Sequence, residues 1–164
     1  MKERTLVIIK PDAIERKLVC SLVSKFRNEK LDIVEMKFEK VEKSLFEKLY
    51  GHIRKKVVNE RIFHDTVNFM SSVPLVFLVL EGKNAARRVK ELAGATDPVK
   101  AKKGTIRGDF GIDSREVADK EFRSVRNLIH ASDPESATKE IRYFSENRYR
   151  NQQIKKSTIF QINQ

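Results

Sequence analysis

The sequence has no tryptophan, a single cysteine at Cys20, four prolines and six glycines in 164 residues. One thiol excludes a disulfide framework and any cluster of cysteine metal ligands, and it points to a reducing compartment. No apolar run approaches the roughly 20 residues that a membrane-spanning helix requires. The run that follows Met1-Lys2-Glu3-Arg4 is also too brief for a signal peptide, so a cytoplasmic location with no membrane partner is expected. No internal repeat, low-complexity block or interdomain linker interrupts the chain.

What is present is a 40% apolar fraction beside a 35% charged fraction. That balance describes one globular domain with a heavily solvated surface, long enough to bury a core without staples. The 34 Lys and Arg against 23 Asp and Glu leave a net charge of +11. Such an excess fits ligands rich in phosphate, from nucleotides to nucleic acids, or simply a lysine-rich surface.

Thr5–Ile9 and Leu75–Leu80 are short continuous apolar runs and read as buried central strands. Val34, Met36 and Phe38 alternate with Glu35, Lys37 and Glu39, as in a strand with one wet face turned by the charged residues. Helical spacing marks Val19, Leu22, Val23 and Phe26, with Cys20 beside that stripe as a small core or near-core residue. It marks Leu45, Leu49 and Tyr50 behind a capping box at Ser44 and Glu47, and then Phe63, Val67 and Met70. Arg54 to Arg61 reads as an irregular basic turn. Ala86, Val89 and Ala93 form a further helix closed by Gly94. A long weakly patterned segment runs to Phe110, a short surface helix is expected within 113–124, and Val125–Ile129 reads as the last core strand. Ala137, Ile141 and Phe144 then mark a helix face, and Thr158–Ile162 reads as an added edge strand in the tail. The order predicts an α/β (α+β) domain, a ferredoxin-like split βαβ with a four-stranded antiparallel sheet covered by helices.

Chemistry concentrates in Asn127-Leu128-Ile129-His130-Ala131-Ser132-Asp133. Ser132 and Glu135 read as a capping box, with Pro134 suited to a first helical turn. A histidine between a strand end and a helix start has a ring nitrogen free to bring to an anion, as nucleophile or general base. The plainer reading is a histidine that fills a turn. Lys10, at the end of the first strand, either points into a site or snorkels along the surface.

Four segments decide between these readings: Glu3–Asp12, Gly94-Ala95-Thr96-Asp97-Pro98, Gly104-Thr105-Ile106-Arg107-Gly108-Asp109-Phe110 and Asn127–Asp133. In this order they resemble the nucleoside diphosphate kinase family, over about Glu3 to Phe144. The resemblance implies a kinase domain over 1–146 and a basic polar tail over 147–164. It implies ping-pong transfer of the γ-phosphate of ATP to nucleoside diphosphates through a phosphohistidine at His130. Glu140 matches the glutamate that holds the other ring nitrogen, Lys10 the lysine at the terminal phosphates, and Tyr50 the tyrosine that supports it. Thr96 and Arg107 match phosphate ligands, the guanidinium through paired N–H donors. Asn127 matches the residue that reads the ribose. Mg²⁺ would be held mainly by the nucleotide phosphates, with no metal ligand from the protein.

Some positions depart from the family pattern. Lys90 stands where arginine is usual, keeping the charge but losing the fork. Ile62 falls where a phenylalanine stacks on the base, and Phe63 is the alternative for that role. His52 replaces an acidic residue, Ala131 a glycine, and the loop before Val125 is about ten residues longer than usual. The resemblance also implies a homo-oligomer, either hexamer or tetramer. An alternative function keeps the fold with weak or no kinase activity and makes the protein a regulatory or nucleic-acid-binding one. It is motivated by the net charge, the Arg54-Lys55-Lys56 and Arg87-Arg88 clusters and the tail.

Overall fold

The computed structural model describes residues 2–54 and 60–145. The tail from 147, with its expected edge strand Thr158–Ile162, lies outside these residues, as do Lys55, Lys56 and the side chains of His52 and Arg54. The elements run β1 (Glu3–Ile9), α1 (Pro11–Glu15), α2 (Val19–Asn28), β2 (Asp32–Glu39), α3 (Lys43–Arg54) and α4 (Glu60–Met70). There follow β3 (Leu75–Gly82), α5 (Ala85–Ala93), a 3-10 turn (Pro98–Lys100), α6 (Ile106–Phe110), α7 (Arg115–Lys120) and β4 (Ile129–Ala131). Residues 137–145 are again helical. The strands form one antiparallel sheet in the order β2-β3-β1-β4, the predicted four-stranded architecture.

The unbroken apolar runs of β1 and β3 follow from helices on both faces of the sheet. Val7, Ile9, Val76, Leu78 and Leu80 pack into one layer with Leu22 and Phe26 of α2, Val89 of α5 and Ile106 of α6. The alternate residues Leu6, Ile8, Leu75 and Phe77 pack into the other, with Phe46 and Leu49 of α3, Phe63, Val67 and Met70 of α4, and Phe144. Each wholly buried Leu, Ile or Phe is worth about 1.5–3 kcal/mol, so these layers hold the sheet together.

Four local expectations fail. On β2 the exposed residues are Val34, Met36 and Phe38, whereas Glu35, Lys37 and Glu39 are half-buried. β2 is an edge strand whose register on β3 is interrupted between Ile33 and Glu35. That register sets Lys37 opposite Phe77, and Glu35 and Lys37 pair at 2.5 Å beside a groove lined by Leu6, Phe77, Val79 and Phe144. Their stems cover this apolar surface, as long charged side chains do. Cys20 is exposed, on the wet side of α2. The last strand covers Ile129–Ala131 in place of Val125–Ile129, so His130 lies within it, opposite Ile8. The preceding residues cannot extend the ladder, because Leu128 has φ 72° and its N–H donates to Asp12 Oδ2 at 2.9 Å. Neither capping box forms. α3 already includes Lys43 ahead of Ser44, and the helix after Ser132 starts at residue 137.

Candidate active site

β1 delivers Lys10 to the end of the sheet, where Pro11 starts α1. β4 lies beside β1 and brings His130 to the same end. α3 carries Tyr50 over them, and the chain leaving α5 at Gly94 closes the near wall. The resulting cleft has a volume of about 340 Å³ and is lined by Lys10, Tyr50, Lys90, Thr96, Arg107, Asn127, His130, Asp133 and Glu140. Ile62, half-buried on α4, does not line it, and Phe63 is packed in the core beneath α4. Phe63 is therefore unavailable for the base-stacking alternative.

The histidine is fixed from behind. Glu140 Oε2 lies 2.7 Å from His130 Nε2, and the two side chains are only 7% and 14% exposed. Ser132 donates to Glu140 Oε2 at 2.5 Å and Ser136 to Oε1 at 2.7 Å. Burial alone would raise the carboxyl's pKa, but the bonds from His130, Ser132 and Ser136 and the charge of His130 hold it down to about 2. When the ring is neutral, the same carboxylate accepts its Nε2 proton and leaves the Nδ1 lone pair for chemistry. The Tyr50 ring stands edge-on to the imidazole, 5.7 Å between centroids at 87°. Ser132 and Ser136 were missed as site residues. Ser136 and Glu140 are one helical turn apart, a legible spacing, whereas the Ser132 contact needs the fold.

Arg107 is fixed by backbone carbonyls and Lys10 by the side-chain amide of Asn127. Arg107 of α6 donates Nε to the Asn127 carbonyl at 3.0 Å, one terminal nitrogen to Gly94 at 2.8 Å and the other to Ile129 at 2.9 Å. Three of its five N–H donors are used, which leaves two on a guanidinium that cannot turn. Gly94 makes this possible. It adopts φ 80° and ψ −178°, and a Cβ there would lie 2.4 Å from Thr105 Oγ1. Thr105 in turn caps α6, accepting from the Gly108 N–H. Lys10 donates to Asn127 Oδ1 at 2.7 Å, and the Asn127 amide donates to the Thr96 carbonyl at 2.8 Å. Burial and the neighbouring Arg107 charge push the Lys10 ammonium down to about 8. Burial likewise lowers Arg107, to about 10.

Two features show what this cleft lacks. The Tyr50 hydroxyl is buried and has no hydrogen-bond partner among the described residues, and burial, with the charge of Glu140 second, drives its pKa well above the ordinary phenol value. It therefore stays a donor. Lys90 at the rim is turned onto Asp133, its ion-pair partner across the cleft mouth. Spare donors on Arg107, Lys10 and Tyr50 around a bound nucleophilic ring describe an anion site whose ligand carries several oxygens. Among the described residues no group of three His, Cys, Asp or Glu side chains is placed to hold a metal. The ammonium, guanidinium and phenol donors fit phosphate oxygens and not a metal, so a metal there would take its ligands from the phosphates and water. Ala131 does not have a positive φ, so its Cβ is tolerated where the family pattern has glycine.

Arg87 and Arg88, cited for nucleic-acid binding, have partners of their own. Arg87 pairs with Glu91 at 3.0 Å, and Arg88 donates to the Glu29 carbonyl. No helix among the described residues is long and apolar enough to cross a membrane.

The family model described as nucleoside diphosphate kinase matches residues 3–149. A nucleoside diphosphate kinase of Pyrococcus horikoshii is 46% identical over 143 residues, 87% of this chain and 84% of that protein. One of Methanocaldococcus jannaschii is 41% identical over 145 residues, 88% of this chain and 94% of that protein. Among solved structures, a transition state mimic of the Borrelia burgdorferi nucleoside-diphosphate kinase, with bound vanadate and ADP, superposes with a TM-score of 0.81. The two share 36% of their residues over 87% of this chain and 86% of that one.

Proposed function

The chain belongs to the nucleoside diphosphate kinase family of ATP-dependent phosphotransferases, and from that premise we propose that His130 carries the phosphate in a ping-pong transfer between nucleotides. The observation that carries this reading is the ring held through Nε2 by Glu140 in a cleft lined with Lys10 and Arg107. Nδ1 attacks the γ-phosphorus of ATP, the bond to the bridging oxygen breaks, and ADP leaves with that electron pair. Nδ1 carries no proton in this tautomer, so the step needs no base. The ring gains positive charge as the N–P bond forms, and the Glu140 carboxylate behind it offsets that charge. A nucleoside diphosphate then attacks the phosphohistidine and regenerates the ring.

The other residues divide the substrate between them. Lys10, the two spare donors of Arg107 and the Tyr50 hydroxyl bind the phosphate oxygens, with Thr96 beside them. Lys90 leaves Asp133 for the phosphates, a role for which a single ammonium is a weaker match than an arginine fork. Asn127, oriented by Lys10 and the Thr96 carbonyl, meets the ribose. The base lies toward α4 near Ile62, outside the phosphate cleft. Mg²⁺, when bound, supplies charge neutralisation on the phosphates, and Asp133 is the carboxylate at the cleft mouth that would receive its waters.

A homo-oligomer and a reducing, cytoplasmic setting belong to the same proposal. The exposed row of Val34, Met36 and Phe38 supports the first, because β2 is an edge strand among the described residues and an apolar edge invites a partner. The test of the central claim is labelling. ATP with Mg²⁺ should leave an acid-labile, alkali-stable phosphate on the protein, and His130→Ala should abolish it. Labelling that survives this substitution would refute the assignment.

A further inference from the structure

The segment from Gly111 to Arg126 takes no part in the chemistry above, yet it is tied to α4 along one line. Arg61, Asp65 and Phe69 stand at four-residue intervals on α4 and so share a face. Each meets the segment just ahead of Asn127. The Arg61 guanidinium lies 5.5 Å from the Phe122 ring centroid. Asp65 Oδ2 accepts from both the backbone N–H and the hydroxyl of Ser124, each at 2.9 Å. Arg126 forks onto the same carboxylate at 3.0 and 3.2 Å, and its guanidinium carbon lies 3.7 Å from the Phe69 ring centroid. From the opposite side Asp113 accepts the Arg123 fork at 2.6 and 3.0 Å and the Arg126 N–H at 2.7 Å.

These are not ordinary surface pairs. The Arg126 and Asp65 side chains are 24% and 28% exposed, the geometry is bidentate, and a backbone donor shares the carboxylate. The next residue in the chain is Asn127, whose amide bonds Lys10 and Thr96, and three residues on is His130. α4 is the wall near which the base is placed.

We propose that Asp65 is a positioning residue which, through Ser124 and Arg126, fixes α4 against the stretch of chain bearing Asn127 and His130 and so sets the span between base wall and phosphate cleft. The proposal rests on the reading that the base lies toward α4. Its signature is selective. An acceptor that carries a base must fit both ends of that span, whereas a base-free acceptor engages the phosphate end alone.

The experiment uses full-length protein labelled at His130 and follows loss of label, in single turnovers, against acceptor concentration. Two acceptors are compared, a nucleoside diphosphate and ribose 5-diphosphate, in wild type, Asp65→Asn and Asp65→Ala. The expected result is a half-saturating concentration for the nucleoside diphosphate raised about fivefold in Asp65→Ala, with the limiting rate within about twofold and ribose 5-diphosphate unaffected. Asp65→Asn, which still accepts from Ser124 but has lost its charge, should fall between, and it serves alone if Asp65→Ala does not fold. An unchanged half-saturation for the nucleoside diphosphate overturns the proposal. So does an equal rise for both acceptors, which would place the effect at the phosphate end or in the fold at large. Wild-type protein that takes no label refutes phosphate transfer through His130, a result distinct from either of these.

Discussion

Replacing Glu140 by Gln isolates what the carboxylate does, because shape is kept and only charge is removed. In the native site Oε2 accepts from His130 and Ser132, and Oε1 from Ser136. The amide can set its oxygen at the Oε2 position and its NH2 toward Ser136, whose hydroxyl turns to accept. The ring keeps its tautomer and orientation. What disappears is the negative charge that faces the imidazole as Nδ1 gains a phosphate. A hydrogen bond to a charged group is worth about 1–2 kcal/mol more than a neutral one, which corresponds to a phosphorylation rate roughly 5- to 30-fold slower. Rapid-quench labelling with γ-labelled ATP measures this rate directly, and a rate within twofold of wild type would refute the reasoning. Acid stability gives an independent check. The Glu140 pKa is about 2 in the fold against 4.5 for an ordinary glutamate. Its contribution, on the order of 3 kcal/mol, is therefore fully present above pH 4.5 and is lost as pH falls through about 2. The stability gap between wild type and Glu140→Gln should narrow between pH 6 and pH 2 in denaturant titrations. A gap that stays constant would mean that the carboxylate is not held down.

Two further outcomes follow from the cations and from the glycine that seats them. Lys10 keeps its charge below a pKa of about 8 and loses it above, so kcat/KM should fall as pH rises through that value. Lys10→Arg should remove this limb, and a wild-type profile flat to pH 10 would contradict it. Gly94→Ala places a Cβ 2.4 Å from Thr105 Oγ1 at a φ of 80°. The combined strain and overlap should cost about 2–4 kcal/mol and lower Tm by on the order of 10 °C. Phosphorylation should suffer beyond that loss, because Gly94 and Thr105 together seat Arg107; thermal melts beside labelling rates measure both.

The strands buried on both faces were legible in the sequence, because Thr5–Ile9 and Leu75–Leu80 have no polar alternation to misread. β2 was misread for the opposite reason. Its alternation is clean, but periodicity says which residues share a face and not which face is covered, and that was decided by its edge position and its register on β3. The short β4 was unreadable because the groups that end it are side chains from elsewhere, Asp12 and Arg107, which take the backbone positions a ladder would use. At the site, residue types and spacing offered His130 and Lys10 as candidates, and the rest entered through family resemblance. Arg107 shows why: all three of its protein partners are carbonyl oxygens, and a backbone acceptor leaves no mark in the sequence. Ser132 was assigned to a helix cap for lack of any sign that Glu140 would pass behind it.

The crowding of Lys10 against Arg107 has one more consequence. Two like charges are held together by backbone carbonyls and an amide, beside a phenol with no hydrogen-bond partner among the described residues. The Asp12 carboxylate acts on both charges without offsetting their burial, so a polyphosphate that enters adds free energy to the native state. Binding and folding become two readings of one equilibrium: a ligand at a hundredfold excess over its Kd adds about 2.7 kcal/mol to stability. A cell in which nucleotide levels fall would loosen this protein as well as idle it.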